Sequence, residues 1–204
     1  MTEEEAKEFL KKDLNFQSSD IEKLEIFIEL LLRYNSKYNL ISKSTEKTIW
    51  NRHILDSAQL IKYFSNQSNG YLVDFGSGAG FPGLILAIFN KNPDFHVKLY
   101  EKSPVKRNFL MNVKEKLNIV VDIGANIHDE KIKADIIVCR AFKKLDQIMK
   151  ISREIGINQH KIIILKGKNA QSEINKVSIA SNYSYKLEDS VTDNDSKIIV
   201  IKVG

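Results

Sequence analysis

Cysteine is almost missing from this chain: 204 residues carry one, Cys139. A single cysteine excludes an internal disulfide and any multi-cysteine zinc site. Long apolar runs are also missing, and none approaches the ~20 residues that cross a bilayer. The opening residues, Met1-Thr2-Glu3-Glu4-Glu5, are acidic and lead into no long apolar segment, so no secretory leader is expected. There is no internal repeat and no low-complexity tract. What is present, 43% hydrophobic and 28% charged residues, is the composition of a globular chain. The length suits one α/β domain with a small helical extension, and the expected location is cytoplasmic.

Positive charge is in excess but unevenly placed. Residues 1–30 hold four Lys against nine Asp or Glu, a net of −5, so the remainder carries +10 of the total of +5. A basic body behind an acidic N-terminal segment suits a polyanion such as RNA. Lys-rich surfaces without such a partner have the same balance, so charge alone leaves both readings open.

The most informative stretch is Asp74-Phe75-Gly76-Ser77-Gly78-Ala79-Gly80-Phe81-Pro82-Gly83. It follows the apolar run Tyr71-Leu72-Val73 and precedes Leu84-Ile85-Leu86-Ala87-Ile88, which marks a strand-to-helix turn. Glycines there permit positive φ and close approach of a ligand to backbone N–H groups. The dinucleotide fingerprint places its third glycine where Phe81 stands. The spacing D-x-G-x-G-x-G is instead similar to the first motif of S-adenosylmethionine-dependent methyltransferases. Glu101 ends the next predicted strand, Val97–Tyr100, and lies 25 residues after Gly76. A carboxylate at that place suits the two hydroxyls of a ribose.

Around this turn the chain alternates. Further strands are predicted at Ile119–Ile123, Ala134–Cys139 and Lys161–Leu165, with helices from Pro104 to Leu117, Lys144 to Ile155 and from about Ala170. Tyr183–Val191 and Lys197–Val203 read as an antiparallel hairpin. The expected fold is a Rossmann-like class I methyltransferase: a mostly parallel seven-stranded sheet with an antiparallel C-terminal hairpin, behind an N-terminal helical extension. Residues 1–69 form that extension and 70–204 the methyltransferase domain, in one structural unit. Ser65–Gly70 is the polar turn between them.

Within the extension, Thr2-Glu3-Glu4-Glu5 and Ser19-Asp20-Ile21-Glu22 resemble capping boxes. Ile21, Leu24, Phe27, Ile28, Leu31 and Leu32 recur at helical spacing. Tyr34-Asn35 and Tyr38-Asn39 stand beside Arg33 and Lys37, where rings and amides suit either nucleobases or an ordinary helix end. Thr45 to Phe64 is expected to be one helix carrying Arg52-His53-Ile54-Leu55-Asp56-Ser57. Arg52 and Asp56 share a face as an ion pair would, and Asp56 is also spaced to orient His53.

Three methylation chemistries place different demands on the residues after the fourth strand. Amino-group methylation commonly uses a Pro-Pro turn after the fourth strand, but Cys139-Arg140-Ala141-Phe142 has no proline. Cytosine carbon-5 methylation needs an exposed thiolate; Cys139 continues an apolar run and reads as packed. A ring nitrogen such as guanine N7 has a free lone pair and no proton, so positioning suffices.

The chain resembles the bacterial small-subunit ribosomal RNA guanine-N7 methyltransferases, RsmG or GidB, over nearly its whole length. The resemblance rests on Tyr34-Asn35 through Leu40, Arg52 through Ser57, Asp74 through Gly83, Arg140-Ala141-Phe142 and Leu165-Lys166-Gly167. It implies methyl transfer from S-adenosylmethionine to N7 of one guanine in the 530 loop of 16S rRNA, free or in the small subunit. The cofactor contacts expected are Gly76, Gly78, Phe81, Glu101, Ile127, His128 and Arg140. Arg140 and Lys166 are expected to guide guanine and phosphate near the methyl, and Arg33, Lys37 and Arg52 to meet RNA. No metal and no membrane partner are expected, and the protein is read as a monomer.

Overall fold

The computed structural model describes residues 1–64, 69–129, 134–155, 159–177 and 183–204. The apolar runs pair into a seven-stranded sheet in the order β3-β2-β1-β4-β5-β7-β6. These are β1 (Gly70–Phe75), β2 (Phe95–Tyr100), β3 (Asp122–Gly124), β4 (Ile136–Arg140), β5 (His160–Lys166), β6 (Tyr183–Asp189) and β7 (Lys197–Val203). Strands β1 to β5 are parallel, and β7 runs antiparallel to both β5 and β6. The topology is that of class I methyltransferases. The order reverses between β1 and β4, where ligands bind open α/β sheets at the C-terminal strand ends.

Alternate residues face opposite sides. Leu72, Leu99, Val138, Ile163 and Val200 belong to one apolar cluster, and Val73, Tyr100, Cys139, Ile164 and Ile201 to the other. Both faces are therefore covered, as the near-continuous apolar sequence of the central strands requires. Helices α6 (Leu145–Ile155) and α7 (Ala170–Lys176) supply the second cluster with residues such as Leu145, Ile148 and Ile174. Helices α4 (Gly83–Phe89) and α5 (Pro104–Leu117) lie in the first. In α5, Ser103 caps the first turn and Pro104 occupies the position where a missing N–H is harmless. The helix ends at Asn118, in the left-handed region at φ 48°.

The N-terminal helices, α1 (Glu3–Lys12) and α2 (Ser18–Tyr38), complete the first cluster rather than forming a core of their own. Thr2 and Glu5 form the expected capping box. The second cap lies earlier than predicted: α2 starts at Ser18, and Asp20 accepts the Gln17 N–H at 3.0 Å. Buried Ile21, Leu24, Phe27, Ile28 and Leu31 lie against α4 and α5.

Two further expectations change. Strand β3 begins at Asp122, not Ile119, because Asn118, Ile119 and the bonds they make to the end of α5 occupy the preceding residues. The single helix predicted from Thr45 to Phe64 is a mixed run: a 3₁₀ stretch (Lys43–Thr48), a π stretch (Trp50–Leu55), one α turn, α3 (Asp56–Ala58), and a second 3₁₀ stretch (Gln59–Tyr63). Ile54 to Ile61 are consecutively buried, including Asp56 and Gln59. Such a segment has no polar face to give to solvent, and π turns recur where side chains must be re-aimed. The turn predicted at Ser65–Gly70 lies mostly outside the described residues. Among the described residues no helix is long and apolar enough to cross a membrane.

Candidate functional site

Two clefts open at the C-terminal ends of the strands, and Ala141 lines both. The first, of about 280 Å³, is lined by Gly76, Gly78, Tyr100, Glu101, Ile127 and Phe142, among others. Its floor is the glycine turn. The Gly76 and Ser77 N–H groups both donate to the Tyr100 carbonyl, at 2.9 and 3.0 Å. Gly76 has φ 73°, and a Cβ there would lie 2.5 Å from the Phe142 ring. Only glycine satisfies both conditions.

Glu101 accepts from Gly78 N–H at 2.9 Å through Oε2 and from Ser103 N–H at 2.8 Å through Oε1. Each oxygen keeps a further lone pair, so the carboxylate remains able to take two hydroxyls. Asp74 is fully buried below the turn and accepts the Gly83 N–H at 2.9 Å through Oδ2. Its other oxygen is buried without a partner. Burial outweighs that hydrogen bond and pushes its pKa up to about 7.

The second cleft, of about 340 Å³, is lined by Thr45, Arg52, His53, Asp56, Arg140, Lys166 and Thr192, among others. Arg140 is its centre. Nη2 donates to His53 Nδ1 at 2.8 Å, and Nη1 donates to the Arg52 carbonyl at 3.0 Å and Asp56 Oδ2 at 3.4 Å. The guanidinium also lies 4.9 Å above the Phe81 ring. Asp56 is held in turn by Gln59, Ser190 and Thr192. Burial raises the Asp56 pKa and lowers that of Arg140, while the attraction between the two opposes both shifts.

Ala141 has φ 50°, a left-handed conformation that is rare for a residue with a Cβ. This turn aims Arg140 into the second cleft and Phe142 into the first. Strain of this kind concentrates at functional sites.

The profile of the family described as rRNA small subunit methyltransferase G matches residues 20–199. A ribosomal RNA small subunit methyltransferase G of Rickettsia prowazekii is 39% identical over 190 residues, covering 92% of this chain and 96% of that one. One from Orientia tsutsugamushi is 36% identical over 201 residues, covering 96% and 97%. The chain belongs to the rRNA small subunit methyltransferase G family.

Solved structures agree on the fold of this methyltransferase at low identity. A SAM-dependent methyltransferase from Aquifex aeolicus superposes with TM-score 0.58 at 13% identity, covering 73% of this chain and 89% of that one. M. jannaschii TYW2 in complex with AdoMet gives 0.50 at 15%, covering 72% and 74%.

Gly76, Gly78, Glu101 and Ile127 meet in the first cleft, and Arg140 and Lys166 in the second. Their donors and acceptors fit S-adenosylmethionine: glycine backbone for close approach, Glu101 for the ribose, and apolar Ile127 and Phe142 beside a base. Phe81, expected as a cofactor contact, does not line the first cleft. It is buried, edge-on to Phe27 at 5.5 Å and stacked on His53 at 4.9 Å, so it supports Arg140 from below. His128 is exposed, with its backbone N–H donating to Asn126. Lys166 is tied by Glu173 at 2.8 Å and by the Lys143 carbonyl at 3.0 Å.

Arg52 pairs with Asp193, not with Asp56 as the helical spacing predicted; the π geometry turns Asp56 toward Arg140. Arg33 and Lys37 are exposed on the last turns of α2. Asn35, a candidate base-reading amide, is instead fully buried. It donates to Glu46 at 2.5 Å and accepts the Ile41 N–H at 2.8 Å, closing the turn after α2. Tyr34 packs on Phe109 at 5.2 Å, and Asn39 is the left-handed residue that ends α2.

Cys139 is buried, and desolvation raises its pKa, so the thiolate that carbon-5 chemistry requires is not available. Sequence reasoning missed Thr45, Asp56 and Thr192 as parts of the second cleft. The Arg52–Ser57 motif was the available signal for Asp56; nothing local marked the other two.

Proposed function

We propose that this protein transfers the methyl group of S-adenosylmethionine to N7 of a guanine in small-subunit ribosomal RNA, in the 530 loop as the family resemblance implies. The observation that carries this reading is the absence of a free base among the described residues lining the second cleft. Both His53 nitrogens are engaged, Asp56 is bound by Arg140 and Thr192, and Lys166 is bound by Glu173. Guanine N7 gives up no proton when alkylated, so such a cleft is sufficient for it and poor for an amino group.

Bound S-adenosylmethionine supplies an electrophilic sulfonium methyl. The glycine turn, Gly76 and Gly78, and Glu101 hold its nucleoside end, with Ile127 and the backbone at His128 beside the base. Arg140 directs the remaining guanidinium N–H groups toward guanine O6, leaving the N7 lone pair free. An N–H placed on N7 would block the reaction. Phe81 supports Arg140, and Lys166 lies where a flanking phosphate would pass. A base in a duplex cannot reach such a pocket, so the guanine is looped or flipped out.

Arg33, Lys37 and Arg52 form the RNA-contacting surface, where phosphate contacts position without reading sequence. Residues 1–69 act as an extension of the 70–204 methyltransferase domain within one unit, and the protein works as a cytoplasmic monomer.

Incubation with labelled S-adenosylmethionine and either small subunits or naked rRNA, followed by mapping of N7-methylguanine, tests the reading. One modified guanine in the 530 loop is the expected result. Labelling at an amino group or at no rRNA site would overturn it.

A further inference from the structure

The Arg-His-Ile-Leu-Asp-Ser stretch contributes a histidine that the proposed reaction does not use as an acid or base. His53 stands between two polar partners and on a ring. Its Nδ1 faces Arg140 Nη2 at 2.8 Å, its Nε2 faces Thr45 Oγ1 at 2.9 Å, and its ring stacks on Phe81 at 4.9 Å. A guanidinium only donates hydrogen bonds. Nδ1 must therefore be the acceptor, which places the ring proton on Nε2, facing the Thr45 hydroxyl. Burial, with Arg140 and Arg52 nearby, brings the His53 pKa down to about 3, so the ring is neutral.

We infer that His53 is a positioning residue: an imidazole whose Nδ1 accepts from Arg140 and aims the guanidinium into the acceptor cleft, while Thr45 holds the opposite edge of the ring. The inference rests on the proposed reading of that cleft. The geometry is over-determined. Arg140 has five N–H groups, and three are held by His53, the Arg52 carbonyl and Asp56. Among the described residues the other two have no hydrogen-bond partner. The guanidinium is a planar fork, so the Arg52 carbonyl and Asp56 at Nη1 and His53 at Nη2 fix its plane together, and His53 is the partner that anchors the Nη2 edge. A shift of ~1 Å in such a group can cost on the order of 100-fold in rate.

The two amide replacements separate this role from a structural one. Asn places an oxygen close to the position of Nδ1, whereas Gln reaches toward that of Nε2. His53→Asn keeps an acceptor for Arg140 and should stay within about fivefold of the wild-type single-turnover rate. His53→Gln keeps only the Thr45 side and should fall by ~30–100-fold, with KM for RNA and S-adenosylhomocysteine affinity within about threefold. Thermal melts of both variants report whether the fold survives.

The deciding measurement is a double-mutant cycle with Arg140→Ala. If His53 acts through Arg140, His53→Gln has no further effect in the Arg140→Ala background. An equal loss in both backgrounds, or equal loss in the Asn and Gln variants, overturns the inference and leaves the functional reading standing. If Arg140→Ala itself keeps the wild-type rate, Arg140 leaves the mechanism and the inference falls with it, whereas the functional reading falls only if N7-methylguanine fails to map to the rRNA.

Discussion

In the cleft between β1 and β2 the polar contacts are short in sequence: Gly78 and Glu101 are 23 residues apart. In the cleft beyond β4, Arg140 meets His53 87 residues away and Arg52 meets Asp193 141 residues away. The first cleft is built on a glycine turn, with one carboxylate whose outer lone pairs remain open. The second is made of charged and polar side chains that have already satisfied one another. On the proposed reading the cofactor is met by a pre-formed turn that tolerates little change, and the RNA base by a network whose few open donors are defined by what the other donors hold.

Breaking the network at its centre should give the largest effect. Arg140→Ala is expected to lower the single-turnover methylation rate by ~10²–10³-fold while S-adenosylhomocysteine affinity, read by calorimetry, stays within about threefold. Equal losses in both measurements would merge the two clefts into one functional unit.

Beneath the first cleft, Asp74 links charge to stability. Its folded pKa of about 7 lies above its unfolded value of about 3.9, so the folded chain binds the extra proton between these values. The associated stability is fully present below the unfolded pKa and is lost as pH rises through 7. Between pH 5 and 7 this amounts to about 2–3 kcal/mol. Asp74→Asn keeps an oxygen for Gly83 N–H and should flatten the melting temperature over that range. An unchanged slope would place the titration in another group.

Glu101→Gln sharpens the contrast from the other side. It replaces one acceptor with a donor that opposes Gly78 or Ser103 N–H, and should weaken S-adenosylhomocysteine binding by ~10–30-fold. The rate at saturating cofactor should change by less than about threefold. A rate loss without an affinity loss would move Glu101 out of the cofactor cleft's function.

The smallest effect is expected at residues that line neither cleft. Arg33→Ala with Lys37→Ala should raise KM for RNA a few-fold and flatten the dependence of affinity on salt by about one to two units of slope. No change in the salt slope would remove this end of α2 from the RNA surface.

Much of the first cleft was legible in one dimension. A glycine turn after an apolar run, and a carboxylate at the next strand end, are local patterns because backbone geometry and strand spacing make them so. The paired apolar strands and the C-terminal hairpin followed from the same local signals. Asn35 was not legible in this way. Its burial depends on where Glu46 and Ile41 fold back upon it, and its identity alone suits a base contact equally well. The helix predicted over Thr45–Phe64 failed for a related reason. Helical periodicity assumes one wet face, and this segment is enclosed for eight consecutive residues.

By itself, then, the sequence determined the strand-turn-helix at Asp74–Gly83, the carboxylate that follows β2, the sheet and the family. Tertiary structure alone decided that Asp56 pairs with Arg140 while Arg52 turns to Asp193, that Phe81 supports a guanidinium, and that Ala141 takes a left-handed turn between two clefts. Hydrogen-bond partners more than 80 residues apart are chosen by the packing of whole elements, and no spacing along the chain encodes that choice.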